Sequence, residues 1–378
     1  MTDLWKSLGS RIGELRKNLQ MTQGDLAKAL GVSSPQIVSQ IEQGKREIGA
    51  WELASLAKVF RTTTSALLDI REPETQPEIL WRKVPDQEAL KKMDFLKHCR
   101  EYFELEQFNE TNTPCEEFPK IKIDFKKATY AHINQITETI SLQLSLGSKP
   151  ALVLEKTLEE RYGVKVWYMD LGVDGSAAAT IGSFGPAILM NSSEAPWRRN
   201  YNFAHEVFHL VTWENSNPEI LKADKELFKK VESFANVFAS CLLLPGDAIT
   251  NASNRRLSKN TISYTDLIEI AREFAVSTEA LVYRLQNLRR LDKNTAVKVL
   301  QDPQFRELDR TTMPDSWWDP PELPERFVRL AFIAYKKKKI TRSRLSQYLN
   351  KSLLDLNDFL LSYGLDEKED YQGKVRIT

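Results

Sequence analysis

Residues 203–209 of this chain read FAHEVFH. His205 and His209 are four residues apart, so on an α-helix their side chains project from the same face, one turn apart. This spacing lets both imidazoles reach one tetrahedral metal ion, typically Zn²⁺. Glu206, next to the first histidine, is placed to accept a proton from the attacking water of a hydrolysis reaction. The alternative is a surface helix with two ordinary histidines.

A further acidic residue follows in an apolar stretch. Glu232 comes 23 residues after His209, and residues 232–245 read ESFANVFASCLLLP. Within this stretch Glu232 is the only acidic residue, and the small Ala235 and Ala239 allow another helix to pack closely. A carboxylate on such an apolar helix needs a partner, which a zinc ion held by the two histidines would supply. A carboxylate at a helix N-terminus, stabilised by the helix dipole, is the alternative.

Together these two stretches resemble the ImmA/IrrE family of metallopeptidases. The matching pieces are a strand ending at Asn191-Ser192, Arg199, residues 203–209, Glu232 with residues 235–245, residues 162–171 and residues 274–285. The resemblance covers roughly residues 120–290. It departs from the family at Val207-Phe208, where the family usually has a glycine or another small residue.

The resemblance implies a zinc-dependent metallopeptidase with a zincin-like domain. By this resemblance, His205, His209 and Glu232 are the zinc ligands, and Glu206 is the catalytic base. Three protein ligands leave the fourth coordination position open, as catalytic zinc requires.

Three neighbouring side chains are candidates for supporting roles. Tyr201, one turn before His205, and Arg199 are candidates to stabilise the oxyanion that forms during hydrolysis. Asn236, one turn after Glu232, is a candidate to orient a zinc ligand from behind. For each of the three candidates, a purely structural role is the alternative.

The N-terminal residues carry a second motif. Thr22, followed three residues later by Asp25, predicts the start of a helix, and Gly31 predicts the turn that ends it. The sequence Ser-Ser-Pro at residues 33–35 predicts the cap and first turn of the next helix. Residues 8–70 thus resemble the lambda-repressor and Cro-like (XRE-type) class of helix-turn-helix domains.

In that class the second helix enters the major groove of DNA, where amide side chains can read adenine. The candidate contacts, first to bases and then to phosphates, are Ser34, Gln36 and Gln40, and Gln23, Lys45 and Arg46. Pro35 stands where a base-reading side chain is often found, which argues against strong sequence specificity. The alternative is that the module binds a protein, such as the similar domain of a substrate repressor.

The composition limits the class of protein. A formal net charge of +1 over 378 residues gives no general attraction to nucleic acid or membranes, so a DNA-binding surface must be local. No window approaches the roughly 18 apolar residues of a membrane span, and the N-terminus does not resemble a secretory signal. Cys99, Cys115 and Cys241 form no CxxC pair and indicate ordinary reduced thiols. We therefore expect a cytoplasmic protein without a membrane partner.

The expected fold class is mainly α with a small β-sheet (α+β). The predicted parts are a helix-turn-helix domain (residues 1–72), a linker and helical segment (73–119), a metallopeptidase domain (120–290) and a helical C-terminal region (291–378). Strands are predicted at residues 164–169 and 187–191. Residues 71–85 are interpreted as linker, and the proline-rich residues 302–324 are interpreted as a surface loop.

These features favour a regulatory zinc endopeptidase that cleaves a transcriptional repressor or similar regulatory protein, with a DNA-binding module in cis. One alternative is a DNA-binding transcriptional regulator whose zinc site is structural or inactive. Another is the toxin component of a toxin–antitoxin or phage-defence pair. Helix-turn-helix domains of this class usually act on paired half-sites, which would suit a homodimer.

Overall fold

The computed structural model of the chain describes residues 2–60, 62, 64–68, 77–109, 116–312 and 319–368. These residues form two compact units. The first is built from the described residues up to Pro77 and from Val84–Arg100. The second is built from Glu78–Lys83 and the described residues from Glu101 onward.

The first unit is helical. Its helices are α1 (Thr2–Asn18), α2 (Gln23–Leu30), α3 (Pro35–Glu42), α4 (Ala50–Val59), α5 (Thr64–Leu68) and the beginning of α6 (Glu88–Phe108). Its buried apolar core is formed by Leu8, Ile12, Leu26, Ala27, Leu30, Val38, Ile41, Ile48, Leu56, Ala57, Phe60 and Leu67. Because these residues come from five helices and two connecting segments, the core joins the short helices into one unit.

The predicted turn between α2 and α3 is confirmed. The Asp25 N–H donates to the Thr22 hydroxyl at 3.1 Å, and the Thr22 N–H donates to the Asp25 carboxylate at 2.9 Å. This reciprocal pair caps α2. Gly31 ends α2 in the left-handed conformation (φ 69°), which glycine adopts without steric cost. Ser34 precedes α3 and Pro35 occupies its first turn, where the missing N–H costs nothing.

Helices α1 and α3 approach each other so closely that residue 9 must be glycine. A Cβ atom added at Gly9 would lie 2.3 Å from the Ile41 carbonyl oxygen. We therefore expect Gly9→Ala to lower the free energy of unfolding by about 1–3 kcal/mol through overpacking. Gly13→Ala is the matched control, because its Cβ would meet the Glu42 side chain at an ordinary 3.5 Å. Urea unfolding compares the two variants, and equal stability would contradict the expected clash.

The second unit combines a small sheet with helices. Its strands are β1 (Leu80–Trp81), β2 (Lys165–Met169), β3 (Ala177–Gly182) and β4 (Gly185–Asn191). Its first helices after α6 are α7 (Tyr130–Gln143), α8 (Leu154–Tyr162), α9 (Pro196–Val211), α10 (Trp213–Ser216), α11 (Pro218–Ala223), α12 (Lys225–Leu243) and α13 (Gly246–Asn254). The later helices are α14 (Tyr264–Glu273), α15 (Thr278–Asn287), α16 (Lys293–Gln301), α17 (Pro303–Thr311), α18 (Glu325–Lys336), α19 (Arg342–Leu349) and α20 (Leu356–Ser362). The predicted class, mainly α with a small β-sheet, is confirmed.

The sheet has the strand order β1-β3-β4-β2. Strands β3 and β4 form an antiparallel pair, β2 runs parallel to β4, and β1 runs antiparallel to β3. Strands β2 and β4 confirm the strands predicted at residues 164–169 and 187–191. Strand β3 reads AAATIG, in which only Thr180 and Ile181 are of the β-branched or aromatic types that indicate a strand.

Strand β1 lies inside the segment interpreted as linker. Leu80 pairs with Ala179 and Trp81 pairs with Ala178. The linker interpretation is therefore wrong at these residues. A two-residue strand is too short to show any alternation, so only the pairing with β3 defines it.

Two helices carry the candidate site and pack together beside the sheet. Helix α9 packs against β3 and β4, and α12 packs against α9 and α7. The Phe208 and Phe238 rings lie 5.4 Å apart between centroids, and both side chains are fully buried. Ala235 and Ala239 are also fully buried, as the close approach of α12 to α9 requires.

Part of the proline-rich segment is helical. Residues 303–311 form α17, so the prediction of a loop is wrong for them. The Gln304 N–H donates to the Asp302 carboxylate at 2.8 Å, and Pro303 occupies the first turn, which together form an ordinary helix start. Cys115, Trp317 and Trp318 lie outside the described residues.

Within the described part of the chain, no single helix is long and apolar enough to cross a membrane. Only α12 and α13 taken together reach the necessary length and composition, and they are bent by 49° at their junction. Their apolar residues include Leu242 and Ile249, which are fully buried in the core.

Candidate metal centre

Helices α9 and α12 bring three metal-binding groups together. His205 Nε2 lies 3.3 Å from Glu232 Oε2, and His209 Nε2 lies 3.2 Å from Glu232 Oε1. The two Nε2 atoms are 3.2 Å apart, and all three groups offer donor atoms within 4.8 Å of one another. Among the described residues, no other group of three His, Cys, Asp or Glu side chains converges in this way.

Burial and mutual contacts determine the charges of His205 and Glu232. The His205 and His209 side chains are 0% and 1% exposed, whereas Glu232 is 21% exposed. Burial lowers the pKa of His205 to about 4, so its imidazole is neutral at neutral pH, as a ligand must be. Burial acts to raise the pKa of Glu232, but its close contacts with the two histidines hold that pKa well below its ordinary value. The site thus offers neutral imidazole and an ionised carboxylate.

Glu232 does not lie at a helix N-terminus. Helix α12 begins at Lys225 with Asp224 as its cap, so Glu232 lies about two turns inside the helix. The interpretation of Glu232 as a carboxylate stabilised by the helix dipole is therefore wrong, because that effect falls off within the first turn. The two histidines of α9 are its partners instead.

Glu206 is fully buried beside these residues. Neither of its carboxylate oxygens has a hydrogen-bond partner among the described residues. Burial raises the pKa of Glu206 well above its ordinary value, and the positive charge of Arg82 opposes that shift. A buried carboxylate without a protein partner is costly and is found mainly where it has a function. The position fits a general base that must meet a reactant from outside the fold.

These residues fit a zinc ion. Two imidazoles and one carboxylate form the ligand set of a large class of catalytic zinc sites. No fourth His, Cys, Asp or Glu joins the group in the described ranges, so the group offers three protein ligands. Glu206, buried and without a hydrogen-bond partner among the described residues, lies next to the first of them in the sequence.

The structure brings Asn236 behind His205. Asn236 Oδ1 lies 3.1 Å from His205 Nδ1, on the opposite side of the ring from the Nε2 atom that faces Glu232. A hydrogen bond of this kind orients a metal-binding imidazole. The Nδ1 atom of His209, by contrast, is buried and has no partner among the described residues.

The two oxyanion candidates form hydrogen bonds elsewhere. The Tyr201 hydroxyl donates to the Asn236 main-chain carbonyl at 2.9 Å. Arg199 Nη1 donates to the Ser192 carbonyl at 2.9 Å, just beyond β4. Tyr201 thereby joins α9 to α12, and Arg199 joins α9 to the sheet. Structural roles therefore account for both side chains better than contact with a reacting group.

Two family models match the chain. Residues 159–286 match the peptidase family described as the IrrE N-terminal-like domain, and residues 12–67 match the family described as helix-turn-helix. The chain carries an IrrE-like peptidase domain and a helix-turn-helix domain. Both resemblances inferred from the sequence are confirmed.

Two solved structures show more distant similarity. A Mycobacterium tuberculosis transcriptional regulator is 17% identical over 49% of this chain and 51% of its own, with a TM-score of 0.32. This chain therefore spans about half the length of that protein. Bacillus thuringiensis PlcR, solved with a peptide and DNA, is 12% identical over 95% of this chain and 96% of its own, with a TM-score of 0.17. A search of curated proteins found no match.

Arg82 lies at the metal-binding cluster, but the sequence alone does not identify it. Arg82 follows β1 and lies outside the range matched by the IrrE-like domain. Its Nη2 donates to Asn236 Oδ1 at 3.3 Å, and its guanidinium carbon lies 5.5 Å from the centre of the Tyr201 ring. The only sequence signal is the apolar pair Leu80-Trp81 before a basic residue, which is too short to indicate a strand.

In the helix-turn-helix domain, four of the candidate DNA contacts are accessible. Gln36, Gln40 and Lys45 are exposed, and Ser34 is half-buried at the start of α3. These positions suit a helix that presents amide side chains to DNA.

Gln23 and Arg46 are engaged within the helix-turn-helix domain. Gln23 Nε2 donates to Glu42 Oε2 at 2.8 Å, and Arg46 Nη1 donates to Glu52 Oε1 at 2.8 Å. The Glu52 side chain is buried, so the loss of Arg46 would leave a carboxylate without its charged partner. Both residues thus stabilise the domain, which argues against the phosphate contacts expected for them.

Proposed function

We propose that this protein is a zinc-dependent endopeptidase. His205, His209 and Glu232 would hold the metal, and Glu206 would act as the base. The observation that carries the proposal is the convergence of three donor groups within 4.8 Å, beside a buried carboxylate with no partner among the described residues. A regulator with a structural zinc site would need a fourth protein ligand, and none joins this group in the described ranges.

The chemistry follows from these groups. A zinc ion held there would polarise the scissile carbonyl and lower the pKa of a water molecule. Glu206 would accept the proton of the attacking water and deliver it to the leaving amine. The buried rings of Phe208 and Phe238 lie on α9 and α12, the helices that carry the proposed ligands, and would exclude water from the core side of the site.

The class of substrate is suggested by the domain organisation. One chain contains a peptidase-family domain and a helix-turn-helix domain of the kind that places a helix in the DNA groove. A peptidase held at DNA would meet DNA-bound regulators at high effective concentration. We infer that the substrate is a transcriptional repressor or similar regulatory protein in the cytoplasm.

The direct test is to incubate the purified protein with repressors encoded near its own gene and to identify the fragments by mass spectrometry. We expect cleavage at a defined peptide bond that stops when a zinc chelator is added and returns when zinc is restored. Cleavage that persists in the chelator would rule out the metal mechanism. Intact repressors under all conditions would rule out this class of substrate.

We also propose that α3 reads DNA through Gln36 and Gln40, with Lys45 on a phosphate. Gln40→Ala is expected to lower the binding free energy for the DNA sequence that the unchanged chain prefers by about 1–3 kcal/mol. Binding to random DNA should change little. Lys45→Ala is expected to weaken binding to all DNA sequences. It should also reduce by about 1 the slope of the logarithm of the affinity against the logarithm of the salt concentration. Fluorescence anisotropy over a range of salt concentrations measures both effects. If neither variant changes DNA binding, α3 does not read the DNA; if the unchanged chain binds no DNA, the alternative of a protein-binding module is favoured.

A further inference from the structure

Arg82 reaches the metal-binding cluster from strand β1. Its N–H donates to the Ala177 carbonyl at 3.0 Å, which extends the pairing of β1 with β3 by one residue. Side chains alternate along a strand, so Arg82 shares a face with Leu80. Leu80 is buried in the core together with Ala177 and Ala179, and α9 packs against β3. The strand thus directs the guanidinium toward α9.

The guanidinium of Arg82 completes a polar cluster behind His205. Its Nη2 donates to Asn236 Oδ1 at 3.3 Å, and the group lies over the ring of Tyr201. The Tyr201 hydroxyl donates to the main-chain carbonyl of Asn236 at 2.9 Å. Arg82 Nη1 is buried and has no hydrogen-bond partner among the described residues. Native proteins accept such a cost mainly where a residue has a role.

These contacts define which nitrogen of His205 carries the proton. An amide side chain has a donor end and an acceptor end, and rotation can exchange them. A guanidinium can only donate, so the end of Asn236 that faces Arg82 must be the oxygen. The same oxygen lies 3.1 Å from His205 Nδ1 and can only accept, so it favours a proton on Nδ1. That tautomer leaves the lone pair of Nε2 for a metal ion, which would replace the contact of Nε2 with Glu232.

We propose that Arg82 is a positioning residue of the metal centre: it holds the Asn236 oxygen toward His205 and so selects the imidazole tautomer that presents Nε2 to the metal. This inference rests on the proposed function, because it concerns the same metal-binding residues. Without Arg82, the Asn236 amide can rotate and turn its NH₂ group toward Nδ1. That orientation favours a proton on Nε2, which blocks the ligand atom.

The first test measures zinc affinity by competition with a chromophoric chelator. Arg82→Met keeps the length of the side chain but removes its donors, and we expect it to weaken zinc binding about 10- to 100-fold. Arg82→Lys keeps a cationic donor group, so it should retain most of the affinity. Lys83→Met, at the exposed next residue, is the matched control and should bind zinc as the unchanged chain does.

The Asn236→Asp background separates positioning from a merely structural role. A carboxylate can only accept hydrogen bonds, so it holds the proton on His205 Nδ1 whether or not Arg82 is present. In that background we expect Arg82→Met to weaken zinc binding by less than about 3-fold. An effect of this size is about as large as the usual deviation from additivity when two substitutions are combined. An equal loss in both backgrounds would overturn the proposal.

Nitrogen NMR of the imidazole rings gives a readout that needs no metal, and the chain has only four histidines to assign. In the Glu232→Ala background, where the carboxylate that faces Nε2 is removed, we expect His205 to be the Nδ1–H tautomer, and we expect the added Arg82→Met change to give a mixture. Unchanged tautomer and zinc affinity in Arg82→Met would overturn this proposal and leave the peptidase intact. If the unchanged chain bound no zinc, the proposed function would fall, and the NMR result would still decide whether Arg82 selects the tautomer.

Discussion

Glutamine in place of Glu206 is expected to abolish peptide cleavage while zinc stays bound. Glu206 is fully buried and its oxygens have no hydrogen-bond partner among the described residues, so an amide of the same shape breaks no contact within that part of the protein. Glutamine cannot accept the proton of the attacking water. General-base catalysis typically contributes about 10²- to 10⁴-fold, so the cleavage rate should fall by at least about 100-fold.

Cleavage of the repressor substrate and zinc content by atomic spectrometry are measured on the same Glu206→Gln preparation. Glu214→Gln is the matched control, because Glu214 lies on the short helix after α9 and is 53% exposed. It should retain full activity. If Glu206→Gln cleaved the substrate at the rate of the unchanged chain, another group would be the base. Loss of zinc together with activity would show that Glu206 also supports the metal.

Alanine in place of Glu232 is expected to remove zinc and, with it, activity. Glu232 is the only negatively charged group among the three donors and contacts both histidines. Residues that merely support a ligand are worth about 10- to 100-fold in metal affinity, so loss of a ligand should cost at least about 100-fold. Zinc at 100 times its dissociation constant adds about 2.7 kcal/mol of stability, and Glu232→Ala should lose that increment.

Thermal unfolding with and without added zinc measures this loss. Glu226→Ala is the matched control, since Glu226 lies on the same helix α12 but is 85% exposed. It should show the same zinc-dependent rise in melting temperature as the unchanged chain. A normal rise in Glu232→Ala would mean that the carboxylate is not a ligand, and the endopeptidase proposal would then be wrong.

Much of the fold could be predicted because its signals are local. The hydrogen bonds between Thr22 and Asp25 and the left-handed Gly31 involve residues within one helix and its ends, so the residue types alone indicate them. Strands β2 and β4 show the same local character. Strand β3 does not, since its alanines fit a helix as well as a strand, and only its pairing with β4 decides between the two.

The amino-acid sequence alone settled the positions of His205 and His209 relative to each other, because helix geometry turns a spacing of four residues into a shared face. The tertiary structure decided which residues contact the histidine that Asn236 orients. Arg82 and Asn236 are 154 residues apart and meet only because β1 pairs with β3 and α12 packs on α9. A hydrogen bond between such distant residues follows from how the elements assemble, and no local pattern of residues encodes it.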